Sequence, residues 1–231
     1  MKKKLVVLTG AGISAESGLR TFRDSNGLWE GHDVMEVATP EGWRANPELV
    51  MEFYNQRRKQ AMEVSPNRGH IVLKELEEHF DVSIITQNVD NLHEQAGSSH
   101  VLHLHGQLMQ CRSSVDESLI YDMDHWELKL GNLCEKGSQL RPNIVWFGEA
   151  VPMMDQAVGI TRAADILLVV GTSLVVYPAA GLVNDTRPNT PVFLVDPNKP
   201  GIGEEPNFQF ITEKATVGLP ILKEILLSKY V

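Results

Sequence analysis

The chain has 231 residues, 42% of them hydrophobic and 22% charged, which is material for one large folded unit with a smaller lobe and too apolar for general disorder. Its formal net charge of −9 disfavours a dedicated nucleic-acid binder. Two cysteines cannot staple a secreted scaffold, and by themselves they cannot build a four-thiolate zinc site.

No apolar run approaches the ~18 residues of a membrane span. Met1-Lys2-Lys3-Lys4 followed by Leu5–Leu8 imitates a signal peptide. Thr9 and Gly10 break that stretch short of the about 7–15 apolar residues that such a region needs. A buried first strand in a cytoplasmic protein is the expectation. After it come Gly10, Gly12 and Ala15, the G-x-G-x-x-A form of the dinucleotide fingerprint between a strand and a predicted helix. Glycines there let a backbone approach a pyrophosphate, and a helix N-terminus offers free N–H groups and a positive dipole end. An ordinary tight turn is the alternative. The acid that a hydride-transferring dehydrogenase carries ~20 residues further on is missing, because that distance falls in a predicted loop around Leu28–His32.

Asn46–Glu63 reads as a helical insert with no strand after it. Val50, Phe53, Tyr54 and Ala61 form its apolar stripe, and Arg57 falls on the same stripe three residues after Tyr54. A guanidinium aimed inward needs an anionic partner; otherwise it pairs with a nearby acid or reaches solvent. Arg57-Arg58-Lys59 as a run reads as a solvated face. The pattern then alternates, with helix Arg68–His79, strand Val82–Thr86, strand Ile144–Phe147, helix Met153–Ala164, and strands Ile166–Val170 and Val192–Val195. Alternation of that kind predicts an α/β fold with a parallel sheet. Leu108–Pro142 is polar and irregular.

Two polar constellations interrupt this pattern. Gln87-Asn88-Val89-Asp90 follows a buried strand, where open α/β sheets bind ligands, although Asp90 also suits a helix cap. In Leu102-His103-Leu104-His105-Gly106 the two histidines would share one face of a strand. They read as a metal pair, a structural pair, or one general base beside a bystander. No third ligand at zinc-like spacing accompanies them.

In order along the chain, Gly10 to Arg23 (GAGISAESGLRTFR), Thr86 to Asp90, His105-Gly106, Arg141-Pro142, Trp146 to Glu149 and Gly171 to Ser173 resemble the motif set of the sirtuins, NAD-dependent protein-lysine deacylases. The resemblance runs from about Leu5 to Leu222. It implies a Rossmann-like large domain (1–28, 68–107 and 143–231) with a smaller inserted lobe (29–67 and 108–142). That lobe would combine the helical insert with a degenerate zinc-ribbon-like module.

The resemblance also assigns roles. NAD would meet Gly10, Ala11, Gly12, Ser14, Ala15, Gly18, Thr21, Phe22, Arg23, Gln87, Asn88 and Asp90. Gly171, Thr172, Ser173, Asp196, Asn198 and the backbone near Ala215 would take its adenosine side. His105 would be the general base, with Asn88 and Asp90 also in the catalytic group. Val145, Phe147, Gly148, Glu149, Val175 and Val176 would flank an extended acyl-lysine peptide paired by main-chain hydrogen bonds. The acyl oxygen would attack C1′ of the nicotinamide ribose and expel nicotinamide. With help from His105, a ribose hydroxyl would then attack the resulting imidate, and water would complete release of the amine and an O-acyl-ADP-ribose. A non-catalytic NAD sensor and a Rossmann oxidoreductase are the competing readings.

Tyr54-x-x-Arg57 is similar to the sirtuin class that removes succinyl and malonyl groups, and whose bacterial members also accept acetyl-lysine. Ala38 would leave room for the longer acyl chain. Sirtuins commonly carry two cysteine pairs between the His-Gly and Arg-Pro motifs. Here only Cys111 and Cys134 lie in that interval, with Ser113 or Ser114 and Gly137 in place of their mates. Asp116, Asp122, His125 and Glu135 are other donors there, but spacing singles out none of them. The expectation is that no structural zinc is bound, with the two thiols close enough to oxidise.

Overall fold

The computed structural model describes residues 1–19, 28–29, 31–198 and 206–231. Among these, the strands in chain order are β1 Lys4–Thr9, β2 Leu28–Trp29, β3 His32–Asp33, β4 Asp81–Thr86, β5 Val101–His103, β6 Gly106–Ser113, β7 Ile120–Asp122, β8 Leu140–Ile144, β9 Ile166–Val170, β10 Val192–Val195 and β11 Phe208–Ile211. The α-helices are α1 Val34–Val37, α2 Pro40–Ala45, α3 Pro47–Glu63, α4 Arg68–Leu76, α5 Leu92–Gln95, α6 Met154–Arg162 and α7 Ala215–Tyr230. No described helix is long and apolar enough to cross a membrane.

β1, β9 and β10 are buried almost end to end, as strands covered on both faces must be. They pair in parallel in the order β11-β10-β9-β1-β4-β5. From β1 the chain builds outward through β4 and β5, then returns to β9 on the other side. The direction of winding therefore reverses between β1 and β9, which opens a crevice beyond their carboxyl ends. One face carries α4 and α7, burying Val72, Leu73, Leu76, Leu219 and Leu222. The other carries α6 and the Ala179–Asp185 turn segment, with Ala157, Leu182 and Val183 inside. α4 starts at a reciprocal cap. Asn67 accepts from Gly69 N at 2.8 Å, and its own N–H donates to His70 Nδ1 at 3.3 Å. The helix ends at Leu76, earlier than expected, because 77–80 close as turns.

A second, antiparallel sheet, β7-β6-β8, occupies the stretch expected to be irregular. β6 carries a register shift between Gly106 and Cys111, which spoils the period-two pattern that would have marked it. The apolar run beginning at Ile144 was expected to add a parallel strand. Instead β8 pairs with β6, and 145–147 leave the sheet to bond elsewhere: Val145 N donates to His105 O and Phe147 N to Ala38 O. A short apolar run shows burial but not which sheet it joins.

α3 begins at Asn46, whose side chain accepts from Leu49 N, and buries Val50, Phe53, Tyr54 and Ala61 as the stripe requires. Arg58 corrects the solvated-face expectation, because it is completely buried. It donates to Trp126 O at 2.7 Å and to Asn55 Oδ1. The Asn55 amide in turn brackets Leu128, donating to its carbonyl at 3.0 Å and accepting from its N–H at 2.9 Å. These bonds stitch 126–128 onto α3. Burial pushes the Arg58 pKa down to about 10, still far above neutrality, so a cation is held here by carbonyl and amide oxygens alone.

Candidate active site

The crevice at the sheet's switch point is closed by backbone contact. Gly10 N donates to Val170 O at 3.0 Å and Gly12 N to Gly171 O at 2.9 Å. A Cβ on Gly10 would lie 2.7 Å from Thr172 Cβ, and one on Gly12 would lie 2.6 Å from Gly171 Cα. Gly171 itself has φ +62. The glycine spacing is thus required first by one loop lying against the other. The predicted helix after it is corrected. Two three-residue 3-10 turns, Ala11–Ile13 and Ala15–Ser17, stand there. Gly18, at φ +101, closes the second, and such short turns build no macrodipole of the expected kind.

Below this loop lies a buried polar floor. Asn88 Nδ2 donates to Gly10 O at 3.1 Å and to Ser14 Oγ at 3.3 Å. Ser14 Oγ donates to Asp90 Oδ2 at 3.1 Å, and Leu92 N to Asp90 Oδ1 at 3.1 Å. Burial raises the Asp90 pKa, more than those two donors lower it. Gln87 Nε2 donates to Thr172 Oγ1 at 3.3 Å, tying the β4 end to the β9 end. His70 and His93, which belong to no motif, are both buried within this floor. His70 Nδ1 takes the Asn67 N–H, so a neutral ring presents Nε2–H to Ser14 Oγ, 3.5 Å away. Burial pushes its pKa down to about 4. His93 Nε2 lies 3.0 Å from Thr9 Oγ1, and burial lowers its pKa well below the usual imidazole value. The one signal for His70 was its place three residues after the Asn67 cap.

The two motif histidines separate. β5 ends at His103, and Gly106, at φ +79, turns the chain into β6, so the expected shared strand face is corrected. His103 uses both nitrogens, Nδ1 with Asn88 O at 2.9 Å and Nε2 with Glu94 Oε1 at 2.8 Å. Burial works against its charged form, but the Glu94 carboxylate, the Asn88 carbonyl and Asp90 together outweigh burial and raise its pKa. His105 is half-buried and donates Nδ1–H to Gln87 O at 3.1 Å. Its Nε2 has no partner among the described residues. Burial lowers the His105 pKa against the Gln87 bond, so the ring is neutral near pH 7 with a free acceptor nitrogen. One histidine is structural and the other is equipped as a base.

The remaining candidates fall around the same edge. Ala11, Ala15, Ser173 and Asp196 lie on loops beyond β1, β9 and β10, and Asp196 Oδ1 accepts from Asn198 N at 2.8 Å. Ala215 opens α7. Thr21, Phe22 and Arg23 lie outside the described residues.

On the α3 side, Tyr54 is completely buried and accepts from Trp146 Nε1 at 3.1 Å. A carboxylate therefore reaches its hydroxyl only when neighbouring side chains part. Arg57, half-buried, lies with its guanidinium 4.8 Å from the Phe53 ring centroid. Ala38 is buried, whereas Phe147, Gly148 and Val175 are exposed and Val145 and Val176 are half-buried. The Glu149 carboxylate is already committed. It accepts from Arg141 at 2.7 and 3.1 Å, from Arg112 at 3.4 Å and from Trp146 N at 2.8 Å. Any contact it makes with a peptide falls to its main chain. Sequence reasoning missed this cluster along with Asn55 and Arg58, since nothing local in their spacing marks the partners.

The zinc site implied by resemblance does not fit the donors present. Ser113 Oγ accepts from Val115 N at 3.2 Å and Asp116 N at 3.1 Å, and it hydrogen-bonds Cys134. Lys136 Nζ binds Asp116 Oδ2 at 2.6 Å, and Gly137 has no donor. Cys111 packs instead with Met51 and Leu128 near Arg58. Both cysteines are free thiols in different surroundings. Among the described residues no three potential ligands cluster.

Residues 10–178 match the model of the Sir2 family. An NAD-dependent protein deacylase of Helicobacter pylori is 54% identical over 215 residues, covering 92% of this chain and 93% of its own. One of Bacteroides thetaiotaomicron is 51% identical over 230 residues, covering 97% and 98%. A crystal structure of a Sir2 homologue with NAD superposes with a TM-score of 0.89 at 35% identity, over all of this chain and 91% of that one. A Sir2 mutant solved with a p53 peptide and NAD gives 0.79 at 29% identity, over 97% and 93%.

Proposed function

The chain belongs to the Sir2 family and is an NAD-dependent protein deacylase, and from that premise we propose that it removes succinyl and malonyl as well as acetyl groups from lysine. Acylated lysine peptides and proteins are its substrates. NAD, as co-substrate, supplies an electrophilic ribose carbon with nicotinamide as leaving group. The chain's own residues do the rest. Asn88, Ser14 and Asp90, bonded to one another beneath the glycine loop, hold the ribose and nicotinamide end. The loops at Gly171–Ser173 and Asp196–Asn198, with Ala215, take the adenosine side. Thr21, Phe22 and Arg23 complete the cofactor contacts.

The observation that carries the catalytic assignment is the His105 Nδ1–H bond to Gln87 O. It holds the ring as the tautomer whose Nε2 accepts a proton from a ribose hydroxyl. Attack of that hydroxyl on the imidate carbon, followed by addition of one water and loss of the amine, gives free lysine and an O-acyl-ADP-ribose, nicotinamide having left in the first step. Residues 145–149 and 175–176 pair with the substrate main chain.

The acyl range rests on α3, where Arg57 follows Tyr54 by three residues on the stripe that faces inward. A guanidinium grips a carboxylate through two N–H groups, and a phenol adds a third donor. The test uses one peptide carrying acetyl-, malonyl- or succinyl-lysine, with nicotinamide and free peptide followed together. All three should react. Arg57→Met should raise KM for the succinyl peptide about 10- to 100-fold, the loss of a charge-assisted bond, with a far smaller effect on the acetyl peptide. Absence of nicotinamide release with both dicarboxylic acyl peptides would remove this range and leave a deacetylase.

A further inference from the structure

Trp146 sits between two groups that bear on the acyl pocket. Its indole N–H donates to Tyr54 Oη at 3.1 Å, and the Arg141 guanidinium lies over its ring, 3.4 Å from the centroid. Both residues are buried, so no water can exchange with that bond. A phenol has one proton to give. With the indole occupying a lone pair, the Tyr54 proton must be directed elsewhere.

A cation over the indole face draws electron density from the ring and strengthens its N–H as a donor. Arg141 is held there by Glu149, which also accepts from Trp146 N and from Arg112. Both guanidinium groups meet that half-buried carboxylate, Arg112 also lies 3.8 Å from the exposed Glu117, and the Nε atoms of both are buried without a partner. The Arg141 cation is therefore held in place over the indole face.

We propose that Trp146 is a positioning residue for anionic acyl groups, fixing the Tyr54 hydroxyl so that its proton is offered to the acyl carboxylate beside Arg57. The proposal rests on the acyl range assigned above to Tyr54 and Arg57. Burial raises the Tyr54 pKa, so the phenol stays protonated and remains a donor. The competing role is structural, two buried polar groups satisfying one another.

A double-mutant cycle separates the two roles. The readout is the ratio of kcat/KM for succinyl over acetyl peptide, with kcat and KM resolved. Trp146→Phe keeps a ring and removes the N–H; it should lower the ratio about fivefold, through the succinyl KM. In a Tyr54→Phe background the same change should move the ratio by less than about twofold. Equal losses on both acyl peptides, or effects that multiply with Tyr54→Phe, would show Trp146 to be packing alone. If Tyr54→Phe and Arg57→Met leave the ratio unchanged, the acyl range itself fails, and this role of Trp146 is lost with it. Should Trp146→Phe not fold, benzothienylalanine placed at 146 removes the N–H without altering the ring's shape.

Discussion

The floor beneath the glycine loop and the cluster between α3 and the second sheet are both buried and polar, yet they balance charge in opposite ways. In the floor nearly every group is paired at short range: Asn88 with Gly10 and Ser14, Ser14 with Asp90, Thr9 with Thr86. His103 is paired with Glu94, whose carboxylate favours the ring's charged form. Among the described residues two ring nitrogens remain unengaged, the buried His93 Nδ1 and the half-buried His105 Nε2, and only the second belongs to a ring that is not sealed inside the floor. In the α3 cluster Arg58 is held by oxygens without a carboxylate, whereas Arg112 and Arg141 share Glu149 and Arg112 also lies 3.8 Å from Glu117, which leaves one cation more than carboxylates. A network whose groups are committed to one another leaves the half-buried ring nitrogen of His105 to a ligand. A cation-rich one suits an anionic ligand, because an added carboxylate meets uncompensated positive charge.

Removing the base tests the first region most severely. His105→Ala should lower turnover on every acyl peptide about 10²- to 10⁴-fold, read as nicotinamide release. Near-normal turnover would place the base elsewhere in the floor. Arg58→Ala should strike the second region through stability. The cavity and the orphaned Trp126 and Asn55 acceptors cost about 3 kcal/mol, a fall in Tm of about 6–12 °C at this chain length. A fall below about 2 °C would show that other contacts dock 126–128 on α3.

Smaller effects sharpen the contrast. Protonation disables the base, and burial lowers the His105 pKa, so the neutral form persists to lower pH than in a free imidazole. The acid limb of kcat/KM should lie below about pH 6.5; a limb above it would report another group. The least change is expected from chelation. The purified protein should hold far less than one zinc per chain, with Tm unmoved by a chelator, because Lys136 already neutralises Asp116. One zinc per chain would mean that Cys134 recruits ligands from other positions.

Strands Ile166–Val170 and Val192–Val195 appear where their apolar runs place them, because a strand buried on both faces is written in consecutive residues. The α3 stripe was legible for the same reason at a different period. The second sheet was not, since its bulged central strand has no clean alternation and its partners are distant. Arg58 was misread because burial of a cation depends on the oxygens that meet it, and these come from Asn55 and Trp126 together.

By itself, then, the sequence determined the parallel sheet, the glycine loop, the polar strand ends and the family motifs, all of which are local patterns. Tertiary structure decided which motif histidine keeps an accessible free nitrogen and that Arg58 is held without a carboxylate. Those properties follow from partners far apart along the chain. His105 meets a carbonyl 18 positions away, and Trp146 meets a phenol 92 positions away. Protonation and hydrogen-bond polarity are set by such contacts and by burial, neither of which a local period encodes.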